Sequence, residues 1–390
     1  MTIMGIKVTF WRAVFVVIMV LGIYSTLVRY AMGLGAVSNM TDQFPWGLWI
    51  GFDCLCGIML AAGGFCVTGA VYIFHVERLH CIVKSTILTA FLGYCLFIVG
   101  LLFDLGRPWF IWHQLIYMNP HSVMFEVGMC VMTYTTVLFL EFLPNVLERF
   151  GLQTPIRWVK KIYPVLVVLG ILLSTLHQSS LGSLFLLFPE KMHAFWYTPA
   201  LPFFFFLSAI ACGLAMTIFE STLSARAFGR GLERSVMTEL AGALWIVLWV
   251  IALLRFEDYV NRGVNIFKPS YEAYFLWAEL LLAFVIPITM LSFKKVRTNP
   301  HLMYIAALST ILGFVTNRLN VAMTSMETWV GHHYLPKWTE VSITLMICAM
   351  GFFLFSLAIN FLPIFEEEHH GSEGHAVDLH EYEEQPTLVN

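Results

Sequence analysis

Charge is what this sequence has least of. Only 12% of its 390 residues are Asp, Glu, Lys or Arg, where a soluble globular domain carries about 25%. That scarcity excludes an ordinary water-soluble domain. A basic tract is also missing, and the net charge is −3, so nothing points to nucleic acid. No CxxC occurs among the eight cysteines, Cys54, Cys56, Cys66, Cys81, Cys95, Cys130, Cys212 and Cys348. Cys54-Leu-Cys56 has the wrong spacing for zinc or an iron–sulfur cluster. All eight fall within or beside apolar runs and suit small helix residues. No ten-residue alternating pattern suggests a membrane barrel.

What is present is apolar. Hydrophobic residues make up 59% of the chain and aromatics 15%, and mean hydropathy is +0.77. Rings at this level suit helices anchored at both membrane interfaces. A spanning helix needs about 20 mostly apolar residues. Ten segments qualify: 10–31, 48–74, 83–104, 122–143, 162–183, 200–222, 236–256, 271–293, 302–322 and 339–362. The first follows Lys7 and Arg12 like a signal peptide, yet outruns a typical h-region and reads as a retained helix. Open sheets are not viable in hydrocarbon. The expectation is therefore an all-α, polytopic membrane protein with a single transmembrane domain over residues 1–365. Segments 2–5 and 6–9 suit two four-helix bundles flanked by segments 1 and 10, although GFDCLCGIML and PFFFFLSAIA do not align as repeats.

Lys and Arg positions orient the chain. The N-terminus and even-numbered loops hold Lys7, Arg12, Arg78, Lys84, Arg149, Arg157, Lys160, Lys161, Arg226, Arg230, Arg234, Lys294, Lys295 and Arg297. The odd-numbered loops hold only Arg107, Lys191, Arg262, Lys268 and Lys337, and Arg29, Arg255 and Arg318 lie near helix ends. Both termini are thus expected in the cytoplasm. The longer, odd-numbered loops face outward and suit a docking surface. The stretch 366–390 is acidic, carries His369, His370, His375 and His380, and reads as a solvated, disordered cytoplasmic tail.

Ionisable groups inside spans are costly and normally mark a pathway or site. With these helix directions, Asp53 in WIGFDCL, Asp104 in LFDLGRPW and Glu126 in HSVMFEVG all lie near the outer ends of segments 2, 3 and 4. Segment 5 finishes at that depth with His177, Gln178, Ser179 and Ser180, and Arg107 lies just beyond segment 3. Plainer roles exist for some of them. Asp104 and Arg107, at i and i+3, suit a helix-end salt bridge, and Asp53 and Glu126 suit acids in a first helical turn. His177 is harder to dismiss, because it is the one histidine well inside a segment and its neighbours are polar. A more scattered set, Glu141, Glu220, Glu279, Arg255 and Arg318, permits interhelical ion pairs or a proton path.

A lipid-soluble quinone would use such a pocket. Its carbonyls need hydrogen-bond donors and its reduction takes up two protons. A histidine near a carboxylate can donate, accept and relay them. A polar solute or a proton channel would use the same groups, and a purely structural anchor is a third reading. A b-type haem normally takes two axial histidines from facing helices. Only His177 is deep enough, so no haem and no cluster is expected in this chain, and electrons must come from a partner.

FPWGLWIGFDCLCG, LFDLGRPW, NPHSVMFEVGMCVMTYTTVLFLEF and LHQSSLGSL resemble the NrfD-like, or polysulfide-reductase-like, membrane subunits. Within that family the pattern is most similar to the ten-helix, hydrogenase-2 type (HybB-like) branch. It extends from GLGAVSNMTDQFPWG to WTEVSITL and is strongest over segments 2–5. The resemblance implies a haem-free anchor in a prokaryotic cytoplasmic membrane that exchanges electrons with menaquinone. It also implies a ferredoxin-like iron–sulfur partner at the outer face, connected to a hydrogenase, a multihaem cytochrome or another oxidoreductase module. The family's pocket carries over onto His177 and its neighbours with Asp53, Asp104 and Glu126.

Overall fold

The computed structural model describes residues 9–229, 234–362 and 364, with the backbone of residues 2–3 and 6–7. The acidic tail from residue 366 lies outside the described residues. Among the described residues, ten helices are long and apolar enough to cross a membrane. They are α1 (Phe10–Met32), α2 (Trp49–Tyr72), α3 (Glu77–Asp104), α4 (Val123–Arg149), α5 (Gln153–Phe185), α6 (Leu201–Phe228), α7 (Arg234–Asn261), α8 (Tyr271–Ser292), α9 (Pro300–Val330) and α10 (Trp338–Phe361). Apart from a two-residue pairing of Thr2–Ile3 with Ile6–Lys7, the described fold is helical, so the all-α expectation holds.

Neighbour packing follows the chain. α3 packs on α2, α4 on α3, α5 on α4, and α5 returns to α2. Likewise α7 packs on α6, α8 on α7, α9 on α8, and α9 returns to α6. These two rings meet along α2, α5, α6 and α9. α1 and α10 pair with each other, and α10 lies against α2 and α3, so the first and last helices stand together on one side.

Close approach explains several glycines. A side-chain carbon at Gly313 of α9 would lie 2.2 Å from the Ala283 backbone nitrogen of α8. One at Gly213 of α6 would lie 2.7 Å from the Ala62 carbonyl carbon of α2. Small residues let helix backbones meet in a membrane, where packing rather than water drives association. At the α8–α9 crossing Pro287 has no N–H to continue the helical ladder. A π-turn, Leu281–Val285, precedes it, and the Leu282 carbonyl accepts a hydrogen bond from Ser309 Oγ of α9 at 2.8 Å.

Two helices are longer than their hydropathy suggests. α5 begins at Gln153, not near 162. Its 33 residues extend about 50 Å at 1.5 Å each, beyond the roughly 30 Å hydrocarbon core. The extra turns are amphipathic: Trp158, Lys160 and Lys161 are exposed while Ile156 and Val159 are buried. Pro164 therefore lies inside this helix and not at its start. α9 continues to Val330 through a π-turn, Asn320–Thr324. Its last turns carry the buried polar residues Asn320, Thr324, Ser325 and Glu327, which end the apolar run but not the helix.

The loops 33–48, 105–122, 186–200, 262–270 and 331–337 form one face, called here the long-loop face. Its first and last members are tied together. Glu340 is fully buried and accepts from the Asn39 and Lys337 backbone N–H groups (2.9 and 3.1 Å) and from the Tyr334 hydroxyl (2.5 Å). Thr339 donates to the Val37 carbonyl at 2.5 Å, and the Phe44 and Tyr334 rings stack at 4.7 Å.

Replacing Gly313 with Ala is expected to lower the thermal midpoint in detergent, at a cost of about 1–3 kcal/mol for forced overpacking. Gly35→Ala, at a position with nothing within 4 Å, is expected to leave the midpoint unchanged. Equal midpoints for both variants would contradict the close packing of α8 and α9.

Candidate functional site

α5 carries an apolar helix into the bundle and then presents His177, Gln178 and Ser180, all buried. His177 is fully buried between the rings of Tyr94 and Phe97 on α3, at centroid distances of 5.7 and 6.1 Å. Among the described residues, neither of its ring nitrogens has a hydrogen-bond partner. Gln178 donates from Nε2 to the Ile58 carbonyl of α2 at 3.1 Å, and its Oε1 is also unpartnered. An unpaired buried polar atom costs about 1–3 kcal/mol. Three such atoms stand on the adjacent residues His177 and Gln178.

The other residues singled out by sequence divide around this point. Ser180 donates to Glu126 Oε1 of α4 at 2.5 Å, which joins α4 and α5 one turn beyond His177. Ser179 turns back onto its own helix, donating to the Thr175 carbonyl. Asp53 stands on α2, the helix whose Ile58 carbonyl takes the Gln178 amide. The chain enters α2 through a π-turn, Trp49–Cys54, a feature frequent at functional sites. Asp53 packs against Gly100 of α3, where a side-chain carbon would come within 2.7 Å of its Cβ. Its Oδ2 accepts from Thr344 Oγ1 of α10 at 2.8 Å.

Asp104 does not pair with Arg107, which is exposed on the long-loop face. Its neighbouring cation is Arg29 of α1. The Arg29 guanidinium holds the end of α3 by donating to the Phe103 and Leu105 carbonyls at 2.8 and 2.6 Å. The expected salt bridge with Arg107 is thus not formed; a buried cation from another helix caps the C-terminus of α3 through its carbonyls instead.

Between α2, α3, α6 and α10 runs an apolar crevice of about 350 Å³. Asp53 lies toward its long-loop end, and Glu220 of α6 lines it further down. Glu220 accepts from Thr89 Oγ1 of α3 at 2.6 Å. Phe97 lines the same crevice, so a single ring separates the unpaired imidazole from this apolar space.

The remaining carboxylate and cations form a second polar centre, in the α6–α9 ring. Glu279 of α8 is fully buried and takes four donors. Arg255 Nη1 and Asn317 Nδ2 reach Oε1 at 2.8 Å each. Trp196 Nε1 and Asn320 Nδ2 reach Oε2 at 2.9 and 3.0 Å. Arg318 stacks on Phe205 at 3.5 Å and donates to Ser208 Oγ and the Phe205 carbonyl. Glu141 lies elsewhere, buried in α4 with its carboxyl 3.2 Å from where a side chain on Gly170 would begin. Glu141, Glu220 and Glu279 thus occupy three separate surroundings.

Sequence reasoning missed Tyr94, Phe97, Thr344, Trp196, Asn317 and Asn320. Asn317, Arg318 and Asn320 stand together in TNRLN within an apolar segment, a readable signal. Thr344 carries none, since only the packing of α10 on α2 brings it to Asp53.

A buried ion pair joined by amide donors, π-turns and an apolar crevice thus lie within a bundle of membrane-length helices. Residues 36–330 match the family model described as "Polysulphide reductase, NrfD", and the chain belongs to this family. It is 33% identical over 343 residues to the "Probable Ni/Fe-hydrogenase 2 b-type cytochrome subunit" of Escherichia coli, covering 86% of this chain and 87% of that protein. It is 30% identical over 397 residues to the "Menaquinone reductase, integral membrane subunit" of Nitratidesulfovibrio vulgaris, covering 93% of each. A selenate reductase subunit of Mesobacillus selenatarsenatis is 24% identical over 413 residues, covering 90% of this chain and 93% of that protein.

Removing one partner of a buried charge pair leaves the other uncompensated, at about 3–5 kcal/mol. Glu279→Ala is expected to lower the unfolding midpoint strongly and to cut yield. The double variant Glu279→Leu/Arg255→Met should recover much of that loss. A double variant less stable than Glu279→Ala would contradict a mutually compensated pair.

Proposed function

We propose that this chain is the quinone-reactive subunit of a respiratory oxidoreductase complex in a prokaryotic cytoplasmic membrane. Both of its termini face the cytoplasm and the long-loop face lies outside. There a ferredoxin-like iron–sulfur partner exchanges electrons with menaquinone or menaquinol held by the chain, and passes them to or from a hydrogenase, a multihaem cytochrome or another oxidoreductase module. The observation that carries this reading is the fully buried His177 with both ring nitrogens unpaired, one aromatic ring away from an apolar crevice that Asp53 lines.

The chemistry suits these groups. Reduction of a quinone consumes two electrons, from the partner, and two protons. A neutral imidazole has one donor and one acceptor nitrogen, so His177 can donate a hydrogen bond to a quinone carbonyl. Gln178 Oε1 can accept from the hydroxyl of the reduced form. The Asp53 carboxyl, already held by Thr344, supplies a second proton-exchanging group across Phe97. Ser180 and Glu126 continue the polar line toward the long-loop face, which is the direction for protons to enter or leave. The menaquinone reductase relative supports the ligand, and the hydrogenase and selenate reductase relatives support a place in larger complexes.

One relative's name mentions a b-type cytochrome. A bis-histidine haem would need a second deep histidine opposite His177. The groups facing His177 are instead Tyr94 and Phe97. The residues do not fit that ligation, so in this reading the chain carries no haem and no cluster of its own.

A second role, proton transfer coupled to the quinone reaction, has one supporting observation. Beside Arg255, Asp258 and Asn317 the α6–α9 ring leaves about 10 Å³ of free space, about enough for one water. Such a water next to the Glu279 network is the start of a proton path.

His177→Ala is expected to leave assembly intact and to lower electron transfer between partner and menaquinone at least tenfold, about 1.4 kcal/mol of barrier. Asp53→Asn should lower it too, with the partner's activity toward a soluble dye unchanged. Full menaquinone turnover in the His177 variant would remove this histidine from the reaction.

A further inference from the structure

The crevice between α2, α3, α6 and α10 is longer than a quinone ring requires. Along α6 its lining runs from Met216 to Phe228, and along α10 from Ile347 to Ser356. At 1.5 Å per residue these are lengths of about 18 and 14 Å. Its wall is almost wholly apolar, and its carboxylates, Asp53 and Glu220, each hold a threonine hydroxyl, from Thr344 and Thr89. α6 and α10 are not packed on each other as the other neighbours are. Their flanking side chains Leu223 and Phe352 are 38% and 62% exposed, which leaves the crevice open on a surface that faces lipid. That mouth lies in the half of the membrane away from the long-loop face, because Phe228 and Ser356 approach the far ends of α6 and α10. Of its two carboxylates, Asp53 lies at the end where Phe97 packs on His177, which selects that end for the polar head and leaves the mostly apolar wall around Glu220 for an oily chain.

From this geometry we infer that the crevice is the isoprenoid channel of the quinone site. The ligand enters sideways from the far leaflet between α6 and α10. Its ring comes to rest at Asp53 against Phe97, a carbonyl reaching His177 once the Phe97 ring turns aside, and its tail lies along α6 and α10 past Glu220. The inference rests on the quinone reading above and adds a route, a leaflet and a set of tail-contacting residues. It also gives Gly351 and Gly93 a role. A side-chain carbon at either would collide within 2.8 Å, with Leu96 or Ala61 respectively, so the crevice walls are helices held close by glycine rather than gaps left by poor packing.

The test uses the intact complex in nanodiscs and a menaquinone analogue with a diazirine at the end of its isoprenoid tail. Photolysis and peptide mapping are expected to place adducts on Leu223, Ala227, Phe352 or Phe355, and excess menaquinone is expected to remove them. Cys348→Trp, which fills the middle of the crevice, should reduce these adducts about tenfold, or about 1.4 kcal/mol in affinity. Ser356→Trp at the mouth gives a second blocking variant that disturbs less of the interior. Menaquinone-sensitive adducts on the lipid faces of α4 or α5 would overturn the channel and leave the quinone reading standing. Adducts nowhere sensitive to menaquinone would overturn both. Equal labelling of the crevice by a diazirine phospholipid, unaffected by menaquinone, would make it a site for ordinary lipid and overturn the proposal.

Discussion

Inside a bilayer no water is at hand, so a buried polar atom must find its partner within the protein or in a ligand. The whole arrangement depends on how this chain meets that demand at two places. At Glu279 it is met in full: four donors from α7, α9 and the 186–200 loop surround one carboxylate. At His177 and Gln178 it is left open at three atoms. The contrast is between a carboxylate that takes four donors and an imidazole that has no partner among the described residues.

Backbone irregularity makes both centres possible. Regular helices of leucine and valine present only apolar faces to each other. π-turns at the entrance to α2, in the middle of α8 and late in α9 shift the faces of these helices by a fraction of a turn. The one in α2 carries Asp53, and the one in α9 carries Asn320, a donor to Glu279. Glycines at 93, 100, 213 and 313 then let the backbones approach closely enough for short side chains such as Ser and Thr to bridge between helices. Thr344 to Asp53 and Thr89 to Glu220 are both bridges of this kind.

Much of this was legible from residue order. Ten apolar runs sufficed for the helix number and the all-α class, because span length is imposed by the membrane itself. His177 stood out because an imidazole beside an amide and two hydroxyls has no place on a lipid-facing helix. Helix ends were less legible. The start of α5 and the end of α9 lie where charged or polar residues continue a helix that hydropathy alone would stop. Partners were least legible, since they come from distant parts of the chain. Arg29 in place of Arg107 beside Asp104, and Thr344 at Asp53, follow from α1 and α10 pairing on one side, which no local pattern states. Nor does any local pattern state that Phe97 of α3 both lies against His177 and lines the crevice with Asp53.

The central claim is that the unpaired atoms around His177 await a quinone head group. A cryo-EM map of the intact complex with a menaquinone analogue tests it directly. Ring density is expected beside Phe97, with the carbonyl oxygens within hydrogen-bond reach of His177 or Asp53. Ordered waters satisfying His177 and Gln178, with the analogue bound elsewhere or absent, would contradict it.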